Sequence, residues 1–185
     1  MFYFQYNGNT YSYVDHPSNQ TRVNERRVEL PIAFDFLKRM EGKRILEVGN
    51  VTHHYNRAYT HDVLDLYEKV PWLDIINEDI LTWNPSEPYE AVLSISTLEH
   101  TADPLSAIDR VLSFAPNVLI TVPYGYGDGW IERVPTYPGV DMFYMQRQDQ
   151  ENQWKQVSPH DVQGTRYNTP FPFANALLIL EKGRV

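Results

Sequence analysis

The chain has 185 residues, of which 42% are hydrophobic and 22% charged, and it contains no cysteine. This composition predicts one soluble globular domain, and the lack of thiols excludes disulfides and thiolate metal sites and fits the cytoplasm. A formal net charge of −8 with dispersed Lys and Arg disfavours nucleic acid as a partner, and no run reaches the ~20 apolar residues that membrane insertion requires.

A hairpin and a helix are predicted first. Residues Phe2–Val14 alternate around Asn7-Gly8, a dipeptide that favours a type I′ turn, which predicts an accessory β-hairpin. Its tyrosines are expected to cover the sheet or a partner copy in a homodimer, with stacking of a base or sugar as the alternative: Tyr3, Tyr6, Tyr11 and Tyr13. Helical spacing of apolar residues predicts a helix over Glu25–Glu41, which Pro31 should kink or restart.

The core strands are predicted as short continuous apolar runs, the pattern of strands covered on both faces. These runs are Lys43–Val48, His61–Tyr67, Leu73–Asn77, Ala91–Ile95, Asn117–Val122 and Ala174–Glu181. Asp103 as N-cap and Pro104 as first helical residue predict a helix ending at Phe114, whereas residues 125–172 are expected to form loops with a short strand. The alternation predicts an α/β fold: one Rossmann-like domain with an open, mostly parallel sheet, helices on both faces and the N-terminal hairpin.

Ligands of such sheets bind at the carboxyl ends of the strands, where this sequence places several polar residues. The turn Glu47-Val-Gly49 follows the first core strand, although Asn50 and Val51 stand where a nucleotide-binding turn would have further glycines. Asp65, sixteen positions past Gly49, is placed to bind a ribose diol, and Asp79 to accept a hydrogen bond from an adenine amino group.

Five motifs in order resemble those of class I S-adenosylmethionine-dependent methyltransferases: Leu46-Glu-Val-Gly49, Val63-Leu-Asp-Leu66, Asn77-Glu-Asp-Ile80, the run from Ala91 to His100, and the run from Val118 to Pro123. Segments 24–31, 54–55 and 170–176 resemble a bacterial and archaeal subgroup associated with surface-polysaccharide gene clusters. The resemblance implies S-adenosylmethionine as cofactor and a small-molecule or carbohydrate-like acceptor. It also divides the domain into a lead-in (1–23), a cofactor-binding core (24–124), and acceptor-side loops with the last strand (125–185).

The resemblance implies a cofactor contact for eight positions, each at the end of a strand or in the following turn. These are Glu47, Gly49 and Asn50 at the methionine end, Asp65 at the ribose, Asp79 and Ile80 around the adenine, and Ser94 and Ile95 under the sulfonium. If the acceptor is a hydroxyl, a histidine or carboxylate takes its proton. The candidates left open are His100, for which structural packing is the favoured role, His160 and Asp161, with Tyr124 as a positioning group.

The turn has two other interpretations, and the histidines near it suggest a third. The unusual Asn50 and Val51 are also compatible with a degenerate methyltransferase fold that serves as a non-catalytic binding or assembly module. A nicotinamide dehydrogenase is disfavoured because a three-glycine fingerprint is missing. The cluster His53, His54, His61 and Asp62 has ligand types that suit zinc or iron, but neighbours along a loop are not expected to point at one centre, so no metal site is predicted.

Overall fold

The computed structural model describes residues 3–127 and 129–183, so Phe2 of the predicted hairpin lies outside the described residues. Ten strands are numbered in chain order: β1 Tyr3–Tyr6, β2 Asn9–Ser12, β3 Ile45–Val48, β4 Asp62–Leu64, β5 Ile75–Ile76, β6 Ala91–Ile95, β7 Asn117–Pro123, β8 Val140–Arg147, β9 Trp154–Val157 and β10 Ala176–Lys182. The α-helices of the described residues are α1 Arg26–Arg39 and α2 Pro104–Phe114. Neither has the length and apolar content needed to span a membrane.

Eight strands form one open sheet in the order β5-β4-β3-β6-β7-β10-β8-β9, which confirms the predicted α/β class. The five strands from β5 to β7 are parallel, β10 runs antiparallel between β7 and β8, and β9 closes the edge antiparallel to β8. The chain builds outward from β3 to β5 and then crosses back to β6 on the other side of β3. This reversal is a topological switch point, where open α/β sheets bind ligands.

One helix covers each face of the sheet, as predicted. The apolar residues of α1 pack in a cluster with Leu93, Ile95 and Leu119, and those of α2 pack in a second cluster with Val92, Val118 and Ile120. Alternate residues of β6 and β7 therefore contribute to opposite cores.

The N-terminal hairpin covers the sheet on the α1 side. Phe4 and Tyr6 are buried in the α1 cluster, with Tyr11 and Tyr13 packed against it, and the Tyr6 hydroxyl donates to Glu181 Oε2 at 3.1 Å. The Asn7-Gly8 turn has positive φ at both residues, as a type I′ turn requires. The tyrosines thus serve the packing role predicted for them, while Tyr3 remains 55% exposed.

Two predicted features differ from the structure. Helix α1 does not restart at Pro31, and the carbonyl of Arg27, which Pro31 cannot bond, accepts the Val14 amide instead at 3.2 Å. Residues 125–172 contain the eight-residue β8 paired with β9, more than one short strand. In β8, Met142 and Tyr144 pack toward the α2 cluster while Phe143 and Met145 pack toward the α1 cluster, so each side chain finds a core.

The connections from β3 to β6 carry no α-helix. A short 3-10 turn at Thr52–His54 is the regular structure between β3 and β4, and residues 49–103, all of them described, contain no α-helix. The turn after β3 therefore lacks the helix N-terminus that supports phosphate binding in the nucleotide-binding form of this fold.

Candidate functional site

A cavity of about 400 Å³ opens at the carboxyl edge of the parallel strands, beside the switch point. The segments that follow four successive strands line it: residues 48–51 after β3, 64–68 after β4, 78–80 after β5, and 96–97 with 100–102 after β6. This is the crevice that the sequence predicts, and its volume is that of a small-molecule site.

The cavity wall is acidic. Asp65, Glu68, Glu78 and Asp79 line it, and none of its described lining residues is Lys or Arg. A wall of carboxylates attracts a cationic ligand and repels a phosphate. The cavity therefore selects against nucleotides that carry a diphosphate.

The two predicted nucleoside contacts, Asp65 and Asp79, both line this wall. Asp65 Oδ1 accepts the amides of Tyr67 at 2.9 Å and Glu68 at 2.8 Å, which fixes the carboxylate and leaves Oδ2 without a partner among the described residues. Asp79 Oδ1 accepts the Leu81 amide at 2.9 Å. Both carboxylates are thus held by their own turns, each with one oxygen free for a ligand.

Gly49 forms the turn at the floor of the cavity. Its φ is +83°, and a Cβ at this position would overlap the Thr97 side chain, so two independent constraints require glycine. The next residue, Asn50, is 6% exposed and lines the same cavity. Its buried Oδ1 has no hydrogen-bond partner among the described residues, and a ligand N–H would satisfy it.

Glu47 lies behind the turn and does not line the cavity. Its Oε1 accepts the amides of Val51 at 3.0 Å and Thr52 at 2.8 Å, and its Oε2 accepts the Thr52 hydroxyl at 2.6 Å. Burial raises the pKa of Glu47, but the contacts from His53, His61 and Thr52 outweigh it and lower the pKa to about 2. The carboxylate thus fixes the conformation of the turn, and it occupies two backbone amides that could otherwise bind a ligand.

The loop histidines separate into two groups. His53 and His61 lie with Glu47 in a buried cluster whose ligand atoms are all within 4.8 Å of one another, which differs from the predicted divergence. His54 instead approaches Glu68 Oε1 at 2.8 Å, and the Asp62 carboxylate accepts from the Tyr89 hydroxyl at 2.8 Å. Glu47, the carboxylate that lies with His53 and His61, belongs to β3.

Ser94 and Ile95, predicted under the sulfonium, are buried in the sheet and do not line the cavity. The Ser94 hydroxyl donates to the Val48 carbonyl at 3.0 Å, and Ile95 packs in the α1 cluster. The residues of this strand end that reach the cavity are Ser96, with φ +39°, and Thr97. The contact of Ser94 and Ile95 with a sulfonium stays a prediction.

Among the proton-transfer candidates, His100 lines the cavity. Its side chain is 60% exposed, and its ring meets Tyr126 edge-on at 5.1 Å, which in turn meets Tyr167 at 5.1 Å. Partial burial and the nearby Arg26 charge lower the pKa of His100, which favours the neutral imidazole at neutral pH.

The other candidates lie elsewhere. Tyr124 lines a separate cavity of about 440 Å³ with Glu132 and Tyr144. His160 is exposed in the 3-10 turn that borders that cavity, and the Asp161 carboxylate caps the same turn through Ser158. The structure does not bring these residues together with His100.

A buried acidic group beneath the cavity was missed in the sequence. Glu29 of α1 accepts the hydroxyls of Ser96 at 2.5 Å and Thr121 at 2.6 Å and pairs with Arg26 at 2.6 Å. Close by, burial raises the pKa of Glu99 to about 8, although the surrounding charges include Arg26. The sequence signal that could have revealed this group is Glu29 itself, an acidic residue on the otherwise apolar face of α1.

No protein-family model matches the chain, and the search of curated proteins gave no match. Solved structures with a similar fold include a SAM-dependent methyltransferase from Thermotoga maritima, at 8% identity and TM-score 0.49, over 81% of this chain and 87% of that one. A plantazolicin methyltransferase bound to a desmethylPZN analog and SAH is 14% identical, with a TM-score of 0.48, over 82% of this chain and 81% of that one. A candidate S-adenosylmethionine-dependent methyltransferase from Listeria monocytogenes is 14% identical, with a TM-score of 0.48, over 84% of this chain and 97% of that one. At these identities the likeness concerns the fold alone.

Proposed function

We propose that the protein is an S-adenosylmethionine-dependent methyltransferase and that the acidic cavity is its cofactor site. The observation that carries the proposal is a switch-point cavity lined by four carboxylates and no described Lys or Arg, with the turn amides bound by Glu47. S-adenosylmethionine brings a sulfonium and an ammonium group, whereas nicotinamide dinucleotides bring a diphosphate. Electrostatics therefore favours the former over the latter.

The lining residues offer partners for the ribose, the ammonium group and the adenine of this ligand. Asp65 Oδ2 is available for the ribose hydroxyls, and the orphan Oδ1 of Asn50 for the ammonium group. Asp79 and Ile80 border the remaining part of the cavity, where they would contact the adenine. Glu47 acts as a positioning residue, because it holds the turn that carries Gly49 and Asn50.

Bound S-adenosylmethionine supplies an electrophilic methyl group, and alignment of the acceptor provides much of the rate acceleration. His100, neutral at neutral pH, is placed at the cavity to accept a proton from an acceptor hydroxyl. Tyr126 and Tyr167 extend from His100 as an aromatic wall for the acceptor. Such a wall suits a sugar ring or another small molecule, in line with the subgroup resemblance of residues 170–176.

Isothermal titration calorimetry with S-adenosylmethionine, S-adenosylhomocysteine and NAD⁺ tests the cofactor. We expect the first two to bind and NAD⁺ not to bind. Asp65→Ala should weaken both by roughly 10- to 100-fold, because it removes charge-assisted hydrogen bonds to the ribose. Asp141→Ala is the matched control, since Asp141 is an exposed β8 residue outside the cavity.

Absence of binding of both adenosyl ligands at millimolar concentration would overturn the proposal and leave the non-catalytic module as the better interpretation. Equal affinities for Asp65→Ala and Asp141→Ala would place the ligand elsewhere. Methyl transfer itself is tested by incubating the protein with labelled S-adenosylmethionine and sugar acceptors, with His100→Ala expected to lower kcat.

A further inference from the structure

A buried cluster behind the turn joins three segments of the chain. Glu47 comes from β3, His53 from the 3-10 turn, and His61 from the residue before β4. Glu47 Oε2 lies 2.9 Å from His61 Nε2 and 3.5 Å from His53 Nδ1, and the side chains of all three residues are at most 3% exposed. We propose that Glu47, His53 and His61 bind one divalent transition-metal ion of the zinc class.

The spacing of the three ligand atoms suits such an ion. Metal–ligand bonds of 2.0–2.2 Å in tetrahedral geometry separate neighbouring ligand atoms by about 3.3 Å. The observed 2.9 and 3.5 Å lie on either side of this value. All three ligand atoms lie within 4.8 Å of one another, the separation that ligands of one ion require.

His53 supplies an independent indication. It is buried, yet neither of its ring nitrogens has a hydrogen-bond partner among the described residues. Its Nδ1 lies 3.5 Å from Glu47 Oε2, close enough for electrostatic attraction but too long for a good hydrogen bond. A buried imidazole whose nitrogens make no hydrogen bond is unfavourable, and coordination through Nδ1 would relieve this.

The surrounding groups also resemble a metal site. The Thr52 hydroxyl and two backbone amides orient the Glu47 carboxylate, as outer hydrogen bonds orient metal-binding carboxylates. Two imidazoles and one carboxylate suit zinc rather than the all-oxygen preference of calcium or magnesium. A second cavity, of about 640 Å³ between α1 and the 56–62 loop, has His61 among its lining residues.

The proposed ion would fasten the connection between β3 and β4. This connection contains no α-helix, so no α-helical hydrogen bonds hold its backbone, and a metal joining its start, middle and end would support it. None of the three ligands lines the acidic cavity. The metal proposal therefore stands whether or not the cavity binds S-adenosylmethionine.

The test is titration of chelator-treated protein with ZnCl₂ or CoCl₂, without any cofactor. We expect one equivalent of zinc to bind and to raise the Tm. His53→Asn and His61→Asn should each weaken zinc binding by roughly 100-fold or more, beyond the 10- to 100-fold typical of outer-shell changes. The matched control His54→Asn alters a neighbouring histidine that pairs with Glu68, and it should retain wild-type zinc affinity.

If either ligand variant fails to fold, proton NMR of the cobalt-loaded wild-type protein decides the question. Two exchangeable imidazole N–H signals shifted by the cobalt ion would support the proposal, and fewer than two would overturn it. Absence of one-equivalent binding of zinc and cobalt to the wild-type protein would also overturn it. So would unchanged affinity in folded His53→Asn and His61→Asn.

Discussion

At the scale of single residues, Gly49 is the position where sequence and site constrain each other most tightly. A left-handed φ excludes most side chains, and contact with Thr97 excludes even a methyl group. Thr97 itself lines the cavity, so the glycine brings the turn after β3 against the strand end after β6. The cavity floor depends on this contact.

Gly49→Ala should therefore lower the free energy of unfolding by about 2–4 kcal/mol, from backbone strain together with overpacking. Gly139→Ala is the control, because Gly139 has a similar φ of +71° but open space around it, and it should cost only about 1 kcal/mol. Urea denaturation of both variants measures the difference. Equal losses would show that contact with Thr97 contributes nothing.

Several site residues were predictable from the sequence because strand ends fix their positions. Asp65 follows β4 directly, Asp79 is the third residue after β5, and both line the cavity as expected. Ser94 and Ile95 do not line it because β6 continues to Ile95, and the chain reaches the cavity only at Ser96. The approach of His53 and His61 to Glu47 depends on the path of a loop, which no periodicity encodes.

At the scale of elements, the start of α1 is fixed to the sheet by buried charges. Glu25, Arg26 and Glu29 on this helix lie near Glu99, which follows β6. Glu99 Oε2 is buried without a hydrogen-bond partner among the described residues. Burial, followed by the charge of Glu29, raises the pKa of Glu99 to about 8 despite the opposing charge of Arg26.

This shift predicts a pH dependence of stability. Below pH 4.5 Glu99 is protonated in both the folded and the unfolded chain, whereas between pH 4.5 and 8 only the folded chain retains the proton. The Glu99 contribution to stability therefore falls as pH rises through this range. Glu99→Gln, which mimics the protonated carboxyl, should remove that fall and exceed wild-type stability at pH 9 by on the order of 3 kcal/mol.

Thermal and urea unfolding at pH 5, 7 and 9 measure this effect. Glu41→Gln is the control, because Glu41 is an exposed residue just beyond α1. A variant–wild-type difference that does not change between pH 5 and pH 9 would contradict the assigned protonation of Glu99.

Elements differed in how far the sequence determined them. Helix α2 was predicted from its cap, and Asp103 does accept the Ser106 amide at 3.2 Å. Strand β8 was obscured because the side chains of residues 142–145 pack alternately against the two cores, so all four are apolar or aromatic and no alternation of polarity marks them. The unbroken α1 depends on a tertiary bond from Val14 that no local pattern contains.

At the scale of the whole molecule, the acidic cavity belongs to a chain with a formal net charge of −8. Both the local wall and the overall field favour cations, and the wall acts more strongly because its charges lie closer to a bound ligand. S-adenosylmethionine and S-adenosylhomocysteine differ by one methyl group and one positive charge. Their relative affinity therefore reports the electrostatics of the cavity.

Glu78 is the lining carboxylate best suited to this test, because it is exposed and its side chain makes no hydrogen bond or ion pair within the described residues. Glu78→Gln should weaken S-adenosylmethionine by about 2- to 5-fold at low salt and leave S-adenosylhomocysteine nearly unchanged. At 0.5 M salt, where screening acts over roughly 4 Å, the difference should disappear. Asp141→Asn makes the same change in net charge on β8 and should affect the binding of neither ligand. Calorimetry measures both affinities. Equal weakening of the two ligands by Glu78→Gln would show that charge does not govern binding in this cavity.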